Sequence, residues 1–153
     1  MQALLLDAIK TTRANALNLI SDLSVAQLNH VPENFNNNII WNLAHMVVTQ
    51  ELLTYGLSGL KGICPPELIE AYKKGTKPQA EAVSAVQIEE IKTLLTTSVD
   101  RFAADYEKGI FKTFKTYPTS YNITLESIDD AILFNNIHEG LHLGSILALK
   151  KLV

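Results

Sequence analysis

The sequence predicts an all-α protein, a four-helix bundle in which long connections join the helices. Four long segments repeat apolar residues at the three- and four-residue spacing of an α-helix. The chain has 153 residues, so residues 1–153 are expected to form a single domain. Its residues are 47% hydrophobic and 19% charged, which is enough for a full core and unlike a disordered chain.

The first half of the chain contains two of the predicted long helices. The first covers residues 2–23, where apolar residues recur at helical spacing without glycine or proline. Ser24, followed three residues later by Gln27, is typical of a capping box and predicts one short extra turn. The second long helix is predicted over residues 38–55 and ends before Gly56.

The middle of the chain, residues 57–84, is long and irregular. Two consecutive prolines, Pro65 and Pro66, predict a short helix over residues 67–74. The third long helix is predicted over residues 85–106, because a glycine follows shortly after it.

A loop and the last helix complete the predicted fold. Residues 110–122 form an aromatic loop, in which a strand would have no obvious partner. The fourth long helix is expected to begin at Thr124, a suitable N-cap residue. Acidic residues follow in its early turns, and Lys150 and Lys151 lie in its last turn, which suits the helix dipole.

Charge and hydropathy exclude two classes of partner. The net charge is −3 and the 13 basic residues are scattered, so we expect no nucleic-acid partner. No apolar run approaches the roughly 18–20 residues of a membrane span, so we expect no membrane partner. Asp7 stands where a signal peptide would continue its apolar region, and we therefore expect a cytoplasmic protein.

The single cysteine limits the chemistry of any metal site to nitrogen and oxygen ligands. One cysteine makes neither an internal disulfide nor a thiolate cluster. Cys64 has no evident positive neighbour except Lys61, so we interpret it as an ordinary, unreactive thiol.

Three of the four histidines form a pattern that predicts a metal site. His138 and His142 lie four residues apart and share one helical face, in an HExxH motif. His45 lies on a mostly apolar helix, within a polar stripe that also contains Asn42 and Thr49. Burial of that stripe requires polar partners, which a metal site supplies. Three histidine ligands with an open position are the pattern of a catalytic metal site.

The surroundings of the histidines supply candidate pocket residues. Asn135 lies beside His138 on the fourth long helix, and we expect it to line a substrate pocket with Asn42 and Thr49. Glu139 is a further pocket candidate and a candidate base, although it lies about 100° around the helix from His138.

Simpler interpretations of the same residues remain open. The histidine pair could be partly buried and satisfied by neighbouring groups, and the stripe could face water. His30 lies in a loop and is interpreted as structural or exposed. The HExxH motif also occurs in metal-dependent hydrolases, but Ser145 and Ala148 stand where the longer metzincin pattern has glycine and histidine.

Two segments of the sequence resemble the DinB superfamily, also described as YfiT-like metal-dependent transferases. The resemblance covers nearly the whole chain and rests on the segments Trp41-Asn42-Leu43-Ala44-His45 and His138-Glu139-Gly140-Leu141-His142-Leu143-Gly144. It implies a four-helix bundle of the up-and-down type and frequent homodimers. It also implies a divalent ion, often zinc or nickel, bound by His45, His138 and His142.

The resemblance also implies an activity. Members of the family include bacillithiol- and glutathione-type thiol transferases, so we expect a divalent-metal-dependent thiol S-transferase that acts on small electrophiles with a low-molecular-weight thiol. One alternative is a non-catalytic metal-binding protein, and another is an HExxH metal-dependent hydrolase. An apolar back face on the fourth long helix, opposite the histidines, is expected to pack against a second subunit or against the aromatic loop.

Overall fold

The computed structural model describes residues 2–153, which form six α-helices, one π-helical segment and a two-stranded sheet. The four long helices are α1 (Gln2–Leu19), α3 (Ile39–Glu51), α5 (Ala85–Glu107) and α6 (Ile128–Lys150). The short helices are α2 (Val25–Asn29) and α4 (Pro66–Tyr72), and the strands are β1 (Tyr117–Pro118) and β2 (Thr124–Leu125). The prediction of an all-α fold is confirmed. Within residues 2–153, no helix is both long and apolar enough to span a bilayer.

The four long helices pack around a common core. Both α1 and α3 contact α5 and α6, so α1 lies diagonally opposite α3 and α5 lies diagonally opposite α6. This order differs from that of a simple up-and-down bundle, in which consecutive helices are neighbours. The connections over residues 20–38 and 108–127 are long enough to cross the end of the bundle.

Local side-chain hydrogen bonds determine where the helices begin. Ser24 and Gln27 form the expected capping box before α2. The predicted start of α6 at Thr124 is wrong: Thr124 belongs to β2 and pairs with Pro118. The N-cap is Ser127, whose Oγ accepts a hydrogen bond from the backbone N–H of Asp130. No partner for a strand in residues 110–122 is evident from the sequence, because its partner β2 lies in the segment predicted as the first turn of α6.

The helix predicted over residues 38–55 changes its hydrogen-bonding pattern near its end. Helix α3 stops at Glu51 and continues as a π-helical segment, Leu52–Gly56. The backbone N–H of Leu57 accordingly donates to the carbonyl of Leu52, five residues earlier. Such wider turns are frequent at functional sites. Here the wider turn is followed by the loop that leads to α4.

Helix α3 is enclosed by the rest of the bundle. Every residue of α3 except Thr49 is buried. The polar stripe on this helix is therefore inside the protein, and the interpretation that it faces water is wrong. Because Asn42 and His45 are buried, each requires a hydrogen-bonding or metal partner.

A buried ion pair lies at the centre of the bundle, between Arg13 of α1 and Glu139 of α6. The side chains of Arg13 and Glu139 are 1% and 0% exposed, and Nη2 of Arg13 lies 2.6 Å from Oε1 of Glu139. Nε of Arg13 donates to the same carboxylate, and Nη1 donates to the Leu95 carbonyl and the Ser98 hydroxyl on α5. Nη2 also lies 3.3 Å from the Met46 carbonyl on α3. One guanidinium thus contacts all four long helices.

We predict that loss of Arg13 strongly destabilises the bundle, because it leaves the Glu139 carboxylate buried without its cation. Arg13→Met should lower the free energy of unfolding by about 3–5 kcal/mol. The matched control Lys10→Met removes an exposed pair with Asp100 and should cost about 1 kcal/mol or less. Urea denaturation of chelator-treated protein measures both changes.

A double variant separates the ion pair from general packing. Arg13→Met combined with Glu139→Met removes both charges, and its stability should lie well above that of Arg13→Met alone. Equal losses for Arg13→Met and Lys10→Met would contradict the central role of this pair.

Candidate metal centre

Three histidines from two neighbouring helices meet inside the bundle. His45 comes from α3, and His138 and His142 come from successive turns of α6. The Nε2 atom of His138 lies 3.2 Å from Nε2 of His45 and 3.1 Å from Nε2 of His142. One nitrogen from each of the three rings lies within 4.8 Å of the corresponding nitrogens of the other two. The structure therefore brings together the three predicted ligands.

A backbone carbonyl determines the orientation of the His45 ring. Nδ1 of His45 lies 2.6 Å from the carbonyl oxygen of Tyr72, the last residue of α4. A carbonyl oxygen only accepts, so Nδ1 carries the proton and Nε2 presents a lone pair to the other histidines. Trp41 stacks on a face of the same ring, with centroids 4.6 Å apart and planes inclined by 12°.

A side-chain amide orients His142 in the same way. Its Nδ1 atom lies 2.8 Å from Oδ1 of Asn42. Nδ2 of Asn42 donates to the carbonyl of Asn38 at 2.7 Å, which directs Oδ1 towards the histidine. Nδ1 of His142 is therefore the donor, and Nε2 of His142 carries a second lone pair that is directed at the centre of the cluster.

The third histidine makes the cluster suited to a cation. Nε2 of His138 faces the lone pairs of both His45 and His142, and its buried Nδ1 has no partner among residues 2–153. Tetrahedral zinc with Zn–N bonds of about 2.0–2.1 Å places its ligand nitrogens roughly 3.3 Å apart. The two shorter separations, 3.1 and 3.2 Å, are close to that value. The donor set therefore fits a divalent ion.

Burial keeps the three imidazoles in the neutral form that binds metal. Desolvation lowers the pKa of His138 to about 2, helped by the neighbouring His142 and His45 rings. Desolvation, with a further contribution from His45, lowers the pKa of His142 to about 4. Burial also lowers the pKa of His45, against the opposing effect of the hydrogen bond to Tyr72. No proton therefore competes with a metal ion near neutral pH.

A cavity of about 550 Å³ opens beside the histidines. This volume lies in the range of small-molecule sites. Its walls combine the three histidines with apolar side chains from the π-helical segment and α6, and with tyrosines of the β1–β2 region. The larger apolar side chains of the lining are Leu52, Leu53, Leu57, Phe134 and Leu141.

The four predicted pocket residues have different positions. Thr49 lines the cavity, and its hydroxyl lies 3.3 Å from Nε2 of His45. Asn42 lies behind His142 as its hydrogen-bond partner. Asn135 donates to Glu139 inside the bundle. Asn42, Asn135 and Glu139 are not among the residues that line the cavity.

The Glu139 carboxylate does not face the cavity, as a general base would, but pairs with Arg13. The carboxylate is held by Arg13 and Asn135, on the face of α6 that points into the bundle core. A general base must reach the proton it removes, and this carboxylate is 0% exposed. The geometry of an HExxH hydrolase, in which this glutamate acts beside the metal, is therefore not present.

The remaining histidine and the cysteine lie outside the cluster. His30 is exposed and belongs to the C-terminal end of α2. Cys64 is partly buried, and burial together with the nearby Glu51 carboxylate raises the pKa of its thiol to about 12. This agrees with the interpretation of Cys64 as an unreactive thiol.

Sequence reasoning missed several residues of the site. Tyr72 acts through its backbone carbonyl, which any residue at that position could supply, so its type carries no information. Tyr117 and Tyr121 reach the cavity because the chain folds back between β1 and α6. Trp41 is buried, as its apolar ring favours, and it also stacks on His45.

We predict that purified protein contains about one divalent ion per chain and that His45→Ala abolishes this binding. The variant retains two of three ligands, which hold an ion far more weakly. Elemental analysis after dialysis measures the metal content, with His30→Ala as the matched control. Full metal content in His45→Ala would show that the ligand set is wrong.

The comparison with known proteins agrees with this geometry. The model of the DinB superfamily matches residues 8–146, which is most of the chain and includes all three clustered histidines. A search of curated proteins finds no match to the chain. On the strength of the family match, the chain belongs to the DinB superfamily.

Proposed function

We propose that the protein is a divalent-metal-dependent thiol S-transferase, of the bacillithiol or glutathione type, that acts on small electrophiles. The proposal is carried by one observation: the lone pairs of His45 and His142 converge with His138 at the wall of a cavity large enough for a small molecule. Three protein ligands are typical of catalytic metal sites, whereas structural zinc sites usually have four.

Zinc or nickel is the ion we propose for this site, since imidazole nitrogens suit both metals. A divalent ion held by the three histidines supplies positive charge that stabilises a thiolate at neutral pH. The chain contributes the orientation of the ligands. The Tyr72 carbonyl and the Asn42 amide hold His45 and His142 with their Nε2 atoms facing inward.

The reacting thiol must come from a separate molecule. Cys64 is not among the cavity residues, and its pKa of about 12 keeps it protonated. In the proposed reaction, the sulfur forms a bond to the electrophilic carbon and the bond from that carbon to its leaving group breaks. The leaving group departs with the electron pair. The thiol proton passes to solvent, because no Asp or Glu lines the cavity among residues 2–153.

The apolar wall of the cavity supports this chemistry. Leu52, Leu53 and Phe134 exclude water from the side of the cavity that they cover. A thiolate is more reactive when it is less solvated, and an aromatic or aliphatic electrophile packs favourably on such a surface. Thr49 provides a hydroxyl beside His45 for a polar group of the substrate.

We also propose a cytoplasmic location and a homodimer. Reduced low-molecular-weight thiols belong to the cytoplasm, where the proposed cofactor is available. The back face of α6 exposes Leu133, Ile137 and Leu147, so the aromatic loop of the same chain does not cover it. Leu141, which the sequence pattern also assigned to this face, lines the cavity beside the histidines instead. Gly140 and Gly144 have open space at their Cα atoms, which allows another helix to approach closely.

We predict thiol-dependent turnover of a chlorinated aromatic electrophile by the metal-loaded protein. The measurement is the absorbance of the thioether product, with bacillithiol, glutathione and other low-molecular-weight thiols as cofactors. His142→Ala should reduce the rate to that of the solution without protein, while His30→Ala should keep it. If protein with full metal content shows no turnover with any thiol tested, the non-catalytic metal-binding alternative is favoured instead.

We predict that Ile137→Glu shifts a dimer to monomer, because a charge in the centre of the apolar face opposes burial. Sedimentation velocity at micromolar concentration measures the change. Leu4→Glu is the matched control, since Leu4 is an exposed leucine on α1. A wild-type protein that is monomeric under these conditions would rule out the dimer.

A further inference from the structure

One basic side chain stands at the cavity beside the histidines. Lys74 lines this cavity, and no acidic residue does so among the residues that the structure describes. Lys74 also forms no ion pair within residues 2–153, whereas its neighbour Lys73 pairs with Glu70. The charge of Lys74 is therefore available to a ligand in the cavity.

The backbone turn that carries Lys74 is attached to α3 on both sides. On one side, the Tyr72 carbonyl accepts a hydrogen bond from His45. On the other, the hydroxyl of Thr76 accepts from Nε1 of Trp41 at 3.2 Å. The same two α3 residues form the stacked ring pair of the metal centre. The position of Lys74 is thus linked to that of the histidines.

The turn has a defined conformation. The N–H of Thr76 donates to the carbonyl of Lys73 at 3.2 Å, which closes a four-residue turn with Lys74 and Gly75 at its centre. Gly75 has a φ of +91°, which residues with a side chain rarely adopt and which a type II turn requires at this position. Lys74 is therefore held at the mouth of the cavity by a built turn.

Much of the remaining cavity wall is apolar. Leu52, Leu53 and Leu57 approach from the π-helical segment and the residue after it, and Phe134 approaches from α6. A molecule that fills this space buries hydrocarbon against these side chains and meets the positive charge of Lys74 in addition to that of the ion proposed for the histidines. Two classes of ligand fit this cavity less well. Neutral polar molecules have no negative charge to pair with Lys74, and small inorganic anions do not cover the apolar side chains.

We propose that the cavity selects anionic amphiphiles: small molecules with an apolar body, packed on Leu53 and Phe134, and one anionic group such as a carboxylate, paired with Lys74. This inference names the substrate class of the proposed transferase and rests on that function for the reaction that follows binding. The anionic group belongs to the electrophile, because the apolar wall suits its body better than that of a highly polar thiol cofactor.

A matched pair of ligands tests the inference without turnover. 4-Phenylbutyrate and 4-phenylbutanol have the same apolar body and differ in the anionic group. Isothermal titration calorimetry on the metal-loaded protein measures the affinity of both. Lys74→Glu should weaken binding of the carboxylate about tenfold or more and change binding of the alcohol by about twofold at most. Lys74→Met should lower the carboxylate affinity about threefold to fivefold.

The control is Lys77→Glu, which makes the same change in net charge at an exposed residue outside the cavity lining. It should leave both affinities unchanged. Equal effects of Lys74→Glu and Lys77→Glu on the carboxylate, or parallel losses for the acid and the alcohol, would overturn the inference. If the transferase assay fails but the protein still prefers the carboxylate to the alcohol in a way that depends on Lys74, the proposed function alone is refuted. Turnover without that preference would refute this inference alone.

Discussion

The bundle depends on one buried guanidinium. Arg13 is buried, and its donors are satisfied by groups on α3, α5 and α6. Two of those groups belong to residues that directly follow histidines of the cluster: Met46 follows His45, and Glu139 follows His138. The interaction that joins the four helices therefore also fixes the relative position of the two helices that carry the histidines. A small shift of α3 against α6 would strain both the hydrogen bonds of Arg13 and the histidine cluster.

The candidate metal centre follows from a second constraint, the burial of three imidazoles. An isolated buried imidazole needs a partner for each ring nitrogen. His45 and His142 satisfy Nδ1 with the Tyr72 carbonyl and the Asn42 amide, which leaves their Nε2 lone pairs facing His138. Protonation is unfavourable there, since burial lowers the pKa of each ring. A divalent cation satisfies all three nitrogens together, so the same arrangement that opposes protons favours a metal ion.

Much of this architecture could be predicted from periodicity and spacing. Apolar spacing located the four long helices, and the four-residue spacing of His138 and His142 placed both on one face. Spacing did not reveal the partner of Glu139, because Arg13 lies 126 residues away and nothing local distinguishes it from a surface arginine. Thr124 and Ser127 are both residue types that occur at N-caps, and the pairing of β2 with β1 excludes Thr124. Lys74 reaches the cavity because hydrogen bonds between distant residues attach its turn to α3, and local sequence patterns do not reveal such bonds.

The most direct test of the account is the coordination sphere of the bound ion in a crystal of metal-loaded protein. Anomalous diffraction at the absorption edge of the metal locates the ion and identifies the element. The account predicts one ion per chain, bonded to Nε2 of His45, His138 and His142, with the remaining coordination positions facing the cavity and free of protein ligands. An ion bound elsewhere, or a fourth protein ligand that closes the site, would contradict it.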